Sequence, residues 1–231
     1  MSTNIKKLQH VATTLLHCSL NIDEQFPFIA HHPLFPQTVY ALQKNGSMQL
    51  LNLANDDELE LAKQDTIKRI NKATNAADFL ILINKPYLPA FFKFANKYMS
   101  PEDFSMFLAE MWTYVEFPNK DANISPLQFV KLFQQANMRY MMSKEDMETY
   151  ENLPETVKIY RGINEGGCVK ALSWTTNVET AEWFATRWSN SDGSVMVAEI
   201  DKADILAYFG GRGEFETVVD YRKLKNIEKY C

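Results

Sequence analysis

The chain has 231 residues, of which 46% are hydrophobic, 13% aromatic and 23% charged, with a formal net charge of −5. That length buries a full core, as one large domain or two small ones, and that aromatic content excludes a disordered chain. The net acidity argues against unspecific binding to phosphate backbones, and no apolar run reaches the roughly 20 residues that cross a bilayer. The N-terminal stretch is broken by Gln9, His10, Thr13 and Thr14 and lacks a continuous signal core. Cys18, Cys168 and Cys231 are too scattered for a disulfide framework. The expectation is a cytoplasmic protein with no membrane partner.

Glycine and proline divide the sequence. All nine prolines lie from Pro27 to Pro154, and only Gly46 of the eight glycines precedes Gly162. Proline opens helices, and glycine serves tight turns and bulges between strands. The expected fold class is therefore α+β: a helical region over 1–150 with no assigned role, then a strand-rich region over 151–231, joined near residues 151–156. In the first part Ile5, Leu8, Val11, Leu15 and Leu16 recur at helical spacing. Asn55-Asp56-Asp57 opens a second helix carrying Leu59, Ala62, Ile67 and Ile70. Residues 76–83 fit either a strand or a buried helix, and their aromatic neighbours Phe91, Phe92 and Phe94 are expected in the core. Ser100-Pro101 and Ser125-Pro126 each pair a capping serine with proline at the first helical position.

From Thr156 the period changes to two, with Val157, Ile159 and Arg161 on one strand face. A short strand is predicted over 170–175. Thr176-Asn177-Val178-Glu179 reads as a capping box, followed by a helix whose inner face carries Val178, Ala181, Phe184, Ala185 and Trp188. Strands are predicted over 195–200, 205–209, 214–220 and 224–229, with a mobile turn at Gly210-Gly211-Arg212-Gly213.

Three features of this part carry chemistry. Arg161 ends a strand on its otherwise apolar face, and an unpaired buried charge is costly, so it needs an anionic partner. A diphosphate matches its guanidinium fork bidentately; a nearby carboxylate would also serve. Ser173-Trp174-Thr175-Thr176 closes a strand and opens a helix, so its hydroxyls either orient a catalytic group or cap the helix. In Glu214-Phe215-Glu216, period two places both carboxylates on one strand face. There they are either solvated or suited to chemistry in which positive charge develops between them. The four histidines lie far from these motifs, no His/Cys spacing suggests zinc, and there is no P-loop. Cys168 has no histidine near it in sequence to make it a nucleophile.

In this order, Tyr160-Arg161-Gly162, Ser173-Trp174-Thr175 and Glu214-Phe215-Glu216 resemble the Arg–Ser–Glu class of mono-ADP-ribosyltransferases, whose pattern is an aromatic-Arg strand, a Ser-Thr-Ser strand and a Glu-x-Glu strand. The helix segment Ala181-Glu182-Trp183-Phe184-Ala185 is also similar to that family's, and Thr175 stands where the family has its last serine. The resemblance covers residues 157–230. It implies a compact split β-sandwich with NAD+ as co-substrate and no required metal. Glu216, Glu214, Arg161 and Ser173 would be catalytic. Arg161 would grip the diphosphate, and Ser173 would position Glu216. Glu216 would stabilise the oxocarbenium-like transition state, and Glu214 would orient or deprotonate the acceptor. Ser173, Trp174, Thr175 and Phe184 would join Arg161 in binding NAD+, with Trp174 or Phe184 stacking on nicotinamide. Residues 210–213 would recognise the acceptor, with Phe209 and Arg212 touching it.

The implied acceptor is a protein arginine first and a nucleic-acid base second, with Arg222, Lys223 and Lys225 as the nearest basic cluster. Such enzymes occur as phage or toxin–antitoxin effectors, so an antitoxin or inhibitor is an expected partner. NAD+ hydrolysis, or a non-catalytic binding protein on a degenerate form of the fold, are the alternatives.

Overall fold

Asn4 opens the first helix of the computed structural model, which describes residues 2–26, 29–43, 45–116, 118–164, 167–187 and 193–230. Trp188 and Cys231 lie outside the described residues. The Asn4 side chain accepts the Lys7 backbone N–H, and α1 (Ile5–Thr14) buries Leu8, Gln9 and Ala12. Two short antiparallel ladders follow, β1 (Asn21–Ile22) with β2 (Ala30–His31) and β3 (Tyr40–Leu42) with β4 (Met48–Leu50). At two or three residues per strand they carry no readable alternation, which is why the helical reading of this region missed them.

In α2 (Asp56–Lys72), Asn55 caps Asp57 and Glu58, three acids fill the first turn, and Arg69 and Lys72 fill the last. This matches the helix dipole at both ends. The buried stripe is Ala62, Thr66 and Ile70, at i+4 spacing, and Ile67 faces solvent. Residues 78–82 settle as helix α3 (Asp78–Leu82). Asp78 accepts backbone N–H groups from Thr74 and Asn75 while the Asn75 side chain accepts the Asp78 N–H. The Thr74 hydrogen bond holds the Asp78 carboxyl below its ordinary value. Then come α4 (Leu88–Ala95) and α5 (Pro101–Tyr114), the latter capped by Ser100 as expected. Phe91 and Phe92 are core, stacking on Phe79 and Phe107 with ring centroids 5.2 and 5.5 Å apart. Phe94 is 56% exposed, because at about 100° per residue it falls off the edge of the stripe that Leu88, Phe91, Phe92 and Ala95 bury.

The chain divides into two compact units, Met1–Glu116 and Phe117–Cys231. The second therefore begins ahead of the junction expected near residue 151. It contains α6 (Pro126–Gln135), with the full Ser125/Gln128 capping box, α7 (Met138–Met141) and α8 (Lys144–Glu151). The strands are β5 (Thr156–Ile163), β6 (Ser173–Thr175), β7 (Ser194–Asp201), β8 (Ile205–Phe209), β9 (Glu216–Val219) and β10 (Lys225–Lys229), and α9 (Val178–Thr186) lies between β6 and β7 in sequence. The three helices belong with this sheet: Tyr208 on β8 donates its N–H to the Met142 sulfur at 3.1 Å, and the Gly210 N–H donates to Asp146 of α8 at 2.8 Å. Among the described residues no helix is long and apolar enough to cross a membrane.

The six strands form one antiparallel sheet in the order β10-β7-β5-β6-β9-β8. Pairing is uneven. β5 and β7 pair over all eight residues of β5, but β5 and β6 share the single register pair Tyr160↔Thr175. The sheet is therefore two three-stranded halves joined at a narrow seam.

One face buries Val157, Ile159, Trp174, Ala198, Ile200, Ile205 and Val219. On the other, α9 sets Ala181 and Ala185 against Val195 and Tyr160. Gly162 permits that approach, since a Cβ there would fall on the Ala181 carbonyl and on backbone atoms of Phe184 and Ala185. Gly162→Ala is expected to cost about 1–3 kcal/mol, the usual price of overpacking against backbone that cannot yield. Denaturant titration measures it, and an unchanged midpoint would show that α9 is loosely seated.

Candidate active site

The arginine, serine and glutamate motifs fall on β5, β6 and β9, consecutive neighbours at the middle of the sheet. Arg161 works at the seam. Its Nε–H donates to the Cys168 carbonyl at 3.0 Å and its Nη1–H donates to the Ser173 carbonyl. These bonds tie the start of β6 to β5 where strand pairing is thinnest. Burial pulls the guanidinium below its ordinary value, and the nearby Cys168 and Glu216 groups oppose that shift. Arg161 leaves β5 on the pleat opposite Tyr160, yet it feels the Glu216 charge.

Glu216 is the first residue of β9 and only 7% exposed. Its register partners are Thr175 on β6 and Phe209 on β8, so Tyr160, Thr175, Glu216 and Phe209 form one row across the sheet. The expectation for Ser173 changes here. Ser173 stands opposite Val218, while Thr175 stands opposite Glu216. Thr175 does not spend its hydroxyl on that carboxylate: Oγ1 donates to the Glu214 carbonyl at 2.7 Å and accepts the Asn177 N–H at 3.1 Å. It fixes the backbone leading into Glu216. Ser173 is half-buried and serves Arg161 through its carbonyl.

Glu214 is not on the strand. Phe215 takes a left-handed φ of 48°, and Gly213 before it a φ of 69°. The chain turns there, so period two does not relate the two carboxylates. Glu214 instead accepts from Arg212 Nη2 at 2.9 Å, at the rim of an open cleft of about 440 Å³. The opposite wall of that cleft is the start of α9: Asn177, Glu179, Thr180 and Trp183. The helix N-cap is Asn177, one residue later than the expected Thr176, and its side chain accepts the Thr180 N–H at 2.9 Å.

The aromatic expectations also shift. Trp174 is 2% exposed, packed in the core, with its indole N–H donated to the Ala171 carbonyl at 3.0 Å. It presents no ring face to a ligand. Phe184 is half-buried and meets Trp183 edge to face at 4.9 Å. Trp183 lines the cleft together with Phe215: it is 53% exposed, with the Arg187 guanidinium 4.9 Å from its centroid. Sequence reading passed it over because it lies off the inward Ala181/Ala185 stripe. That same position, an aromatic on the outer face of a short amphipathic helix, was the signal available.

No protein-family model, curated protein or solved structure matches this chain.

Arg161→Ala is expected to lower stability, since it removes two charge-assisted hydrogen bonds across the seam. Bonds of this kind are worth about 1.5–3 kcal/mol. Arg161→Lys should recover only part, because a point charge cannot reach both carbonyls as the fork does. Thermal unfolding of the two variants checks this; equal melting temperatures for wild type and Arg161→Ala would make the seam contacts irrelevant to stability.

Proposed function

We propose that this chain is a mono-ADP-ribosyltransferase that moves ADP-ribose from NAD+ to an arginine side chain of a protein and releases nicotinamide. The observation that carries the reading is the meeting of Arg161, Ser173 and Glu216 on three neighbouring strands, with a buried carboxylate at Glu216. The order of the motifs, Arg then Ser then Glu-x-Glu, supports it as well.

NAD+ supplies a glycosidic bond whose cleavage leaves positive charge on the ribose. A carboxylate shielded from water interacts with such charge more strongly than an exposed one, and the gain is realised only as the charge develops. Glu216 has that setting. Arg161 holds β5 and β6 together through Nε and Nη1 and sets a positive charge near Glu216, which leaves Nη2 to meet a diphosphate. Glu214 lies outside the strand at the cleft, the place where an acceptor enters. Its carboxylate already binds one guanidinium, that of Arg212, which favours arginine over a nucleic-acid base as acceptor.

The test is to measure nicotinamide release and ADP-ribose incorporation together, with agmatine as a small guanidine acceptor. The wild type should do both. Glu214→Gln should lose incorporation while keeping much of the nicotinamide release, because water needs less help than a protonated guanidinium to trap the ribose carbon. Equal loss of the two activities would place Glu214 in bond cleavage; loss of neither would remove the support for an arginine acceptor.

A further inference from the structure

The first unit contains a cavity of about 280 Å³, apart from the motifs on the sheet. Leu16, Leu20, Phe35 and Leu59 give it apolar walls. Among the described residues that line it, Lys63 alone carries a permanent charge. Lys63 follows Ala62 of the buried stripe on α2 and is itself half-buried, and no acid among the described residues pairs with it. Glu60, the acid one turn before it on α2, instead accepts from the Gln64 amide at 3.3 Å. His32, only 1% exposed, is a fixed and uncharged part of the wall: its Nδ1 accepts the Leu34 N–H at 3.1 Å, and its ring stacks on Phe35 with centroids 4.4 Å apart. Burial pulls this imidazole below its ordinary pKa, backbone hydrogen bonds to Cys18 and Leu16 oppose that, and the Lys63 charge adds to it. A half-desolvated ammonium that repels the one buried base beside it gains from an anion brought into the same space.

We propose that this cavity binds a small carboxylic acid with an apolar, ring-sized body. The carboxylate meets the Lys63 ammonium, and the body lies against Leu16, Leu20, Phe35 and Leu59. Size and charge set the class. A volume of about 280 Å³ is at the small end of the range for ligand pockets, which leaves no room for a dinucleotide or a long acyl chain. A single ammonium balances a carboxylate, whereas a phosphate monoester would keep excess negative charge between apolar walls. Every lining residue belongs to the first unit, so binding here is independent of the transferase reading and gives the helical region a task of its own.

The experiment titrates the full chain by calorimetry with 3-phenylpropionate, with its uncharged amide and with acetate. Saturable binding is expected for the acid. The amide lacks the charge and acetate lacks the body, so each should bind more weakly by about ten- to a hundredfold. Lys63→Met keeps the aliphatic stem and should weaken the acid by the same factor, while Lys63→Arg keeps the charge and should retain most of the affinity. Cys18 supplies a readout in the wild type, since its exposed thiol borders the cavity. Its alkylation by iodoacetamide, followed by peptide mapping, should slow when 3-phenylpropionate is present, while the exposed Cys168 reacts as before. Absence of binding by the acid, or equal affinity for acid and amide, would overturn the proposal. Binding that leaves Cys18 unprotected places the molecule elsewhere and also overturns it, as does a folded Lys63→Met protein with unchanged affinity. If Lys63→Met does not fold, the acid–amide contrast and the protection of Cys18 decide.

Discussion

Replacing Glu216 by Gln is expected to cut nicotinamide release by about 10²–10³, the usual loss when one group that stabilises transition-state charge is removed. The substitution keeps the shape of the side chain and deletes its charge, exchanging one acceptor oxygen for an amide donor. Glu216 begins β9 between Thr175 and Phe209 and is almost fully buried, so a longer or shorter residue would disturb the strand row. Arg161 loses a nearby negative charge in this variant, but its two carbonyl partners remain. Folding should therefore hold, with a melting temperature within a few degrees of wild type and NAD+ affinity largely intact. Steady-state turnover with calorimetric NAD+ titration checks the split between rate and binding. Near-normal turnover by a well-folded Glu216→Gln protein would falsify the assignment of Glu216 to catalysis. Lost binding with unchanged turnover at saturating NAD+ would make it a binding residue instead.

Trp174→Ala is expected to destabilise the second unit by about 3–5 kcal/mol, as large-to-small replacements of buried aromatics do. Trp174 packs with Val157, Ile159, Ala198, Ile200, Ile205 and Val219, and it anchors Ala171 through its indole N–H. The loss would combine a cavity on one sheet face with an unpaired Ala171 carbonyl. Trp174→Phe keeps most of the volume and should leave NAD+ affinity unchanged at a smaller stability cost. This pair of variants distinguishes a core residue from one that stacks on nicotinamide. If Trp174→Phe retained stability and lost NAD+ affinity, the ring would be a ligand contact. Trp183→Ala gives the contrast: its exposed ring lies on the cleft, so its removal should leave stability almost unchanged.

Local chemistry made several elements readable. Asn55, Ser100 and Ser125 each cap the helix that follows them, because a short polar side chain satisfies N–H groups that the first turn leaves open. Alternation of apolar residues marked β5, whose Val157 and Ile159 are buried on one face. The weak points were equally physical. β1 to β4 are too short for period two to emerge. Phe94 looked like its neighbours in composition, but a helix turns about 100° per residue, and that places Phe94 outside the stripe centred between Phe91 and Phe92.

The sequence by itself determined the chemical inventory and its order: a guanidinium at a strand end, hydroxyls at a strand-to-helix junction, and two carboxylates after a glycine-rich turn. It also determined the α+β character, since proline, caps and alternation act over a few residues and need no distant partner. Tertiary structure decided how those groups are used. Register across β6 and β9 put Thr175, not Ser173, opposite Glu216, and register depends on how whole strands pack. The left-handed Phe215 separated Glu214 from Glu216 and sent it to the cleft, a backbone choice that no periodicity encodes. Packing drew Trp174 into the core and left Trp183 outside, because only the assembled sheet defines which face is inside. Arg161 spans the seam of the sheet because that seam exists only after β5 and β6, ten residues apart in sequence, have met at Tyr160 and Thr175.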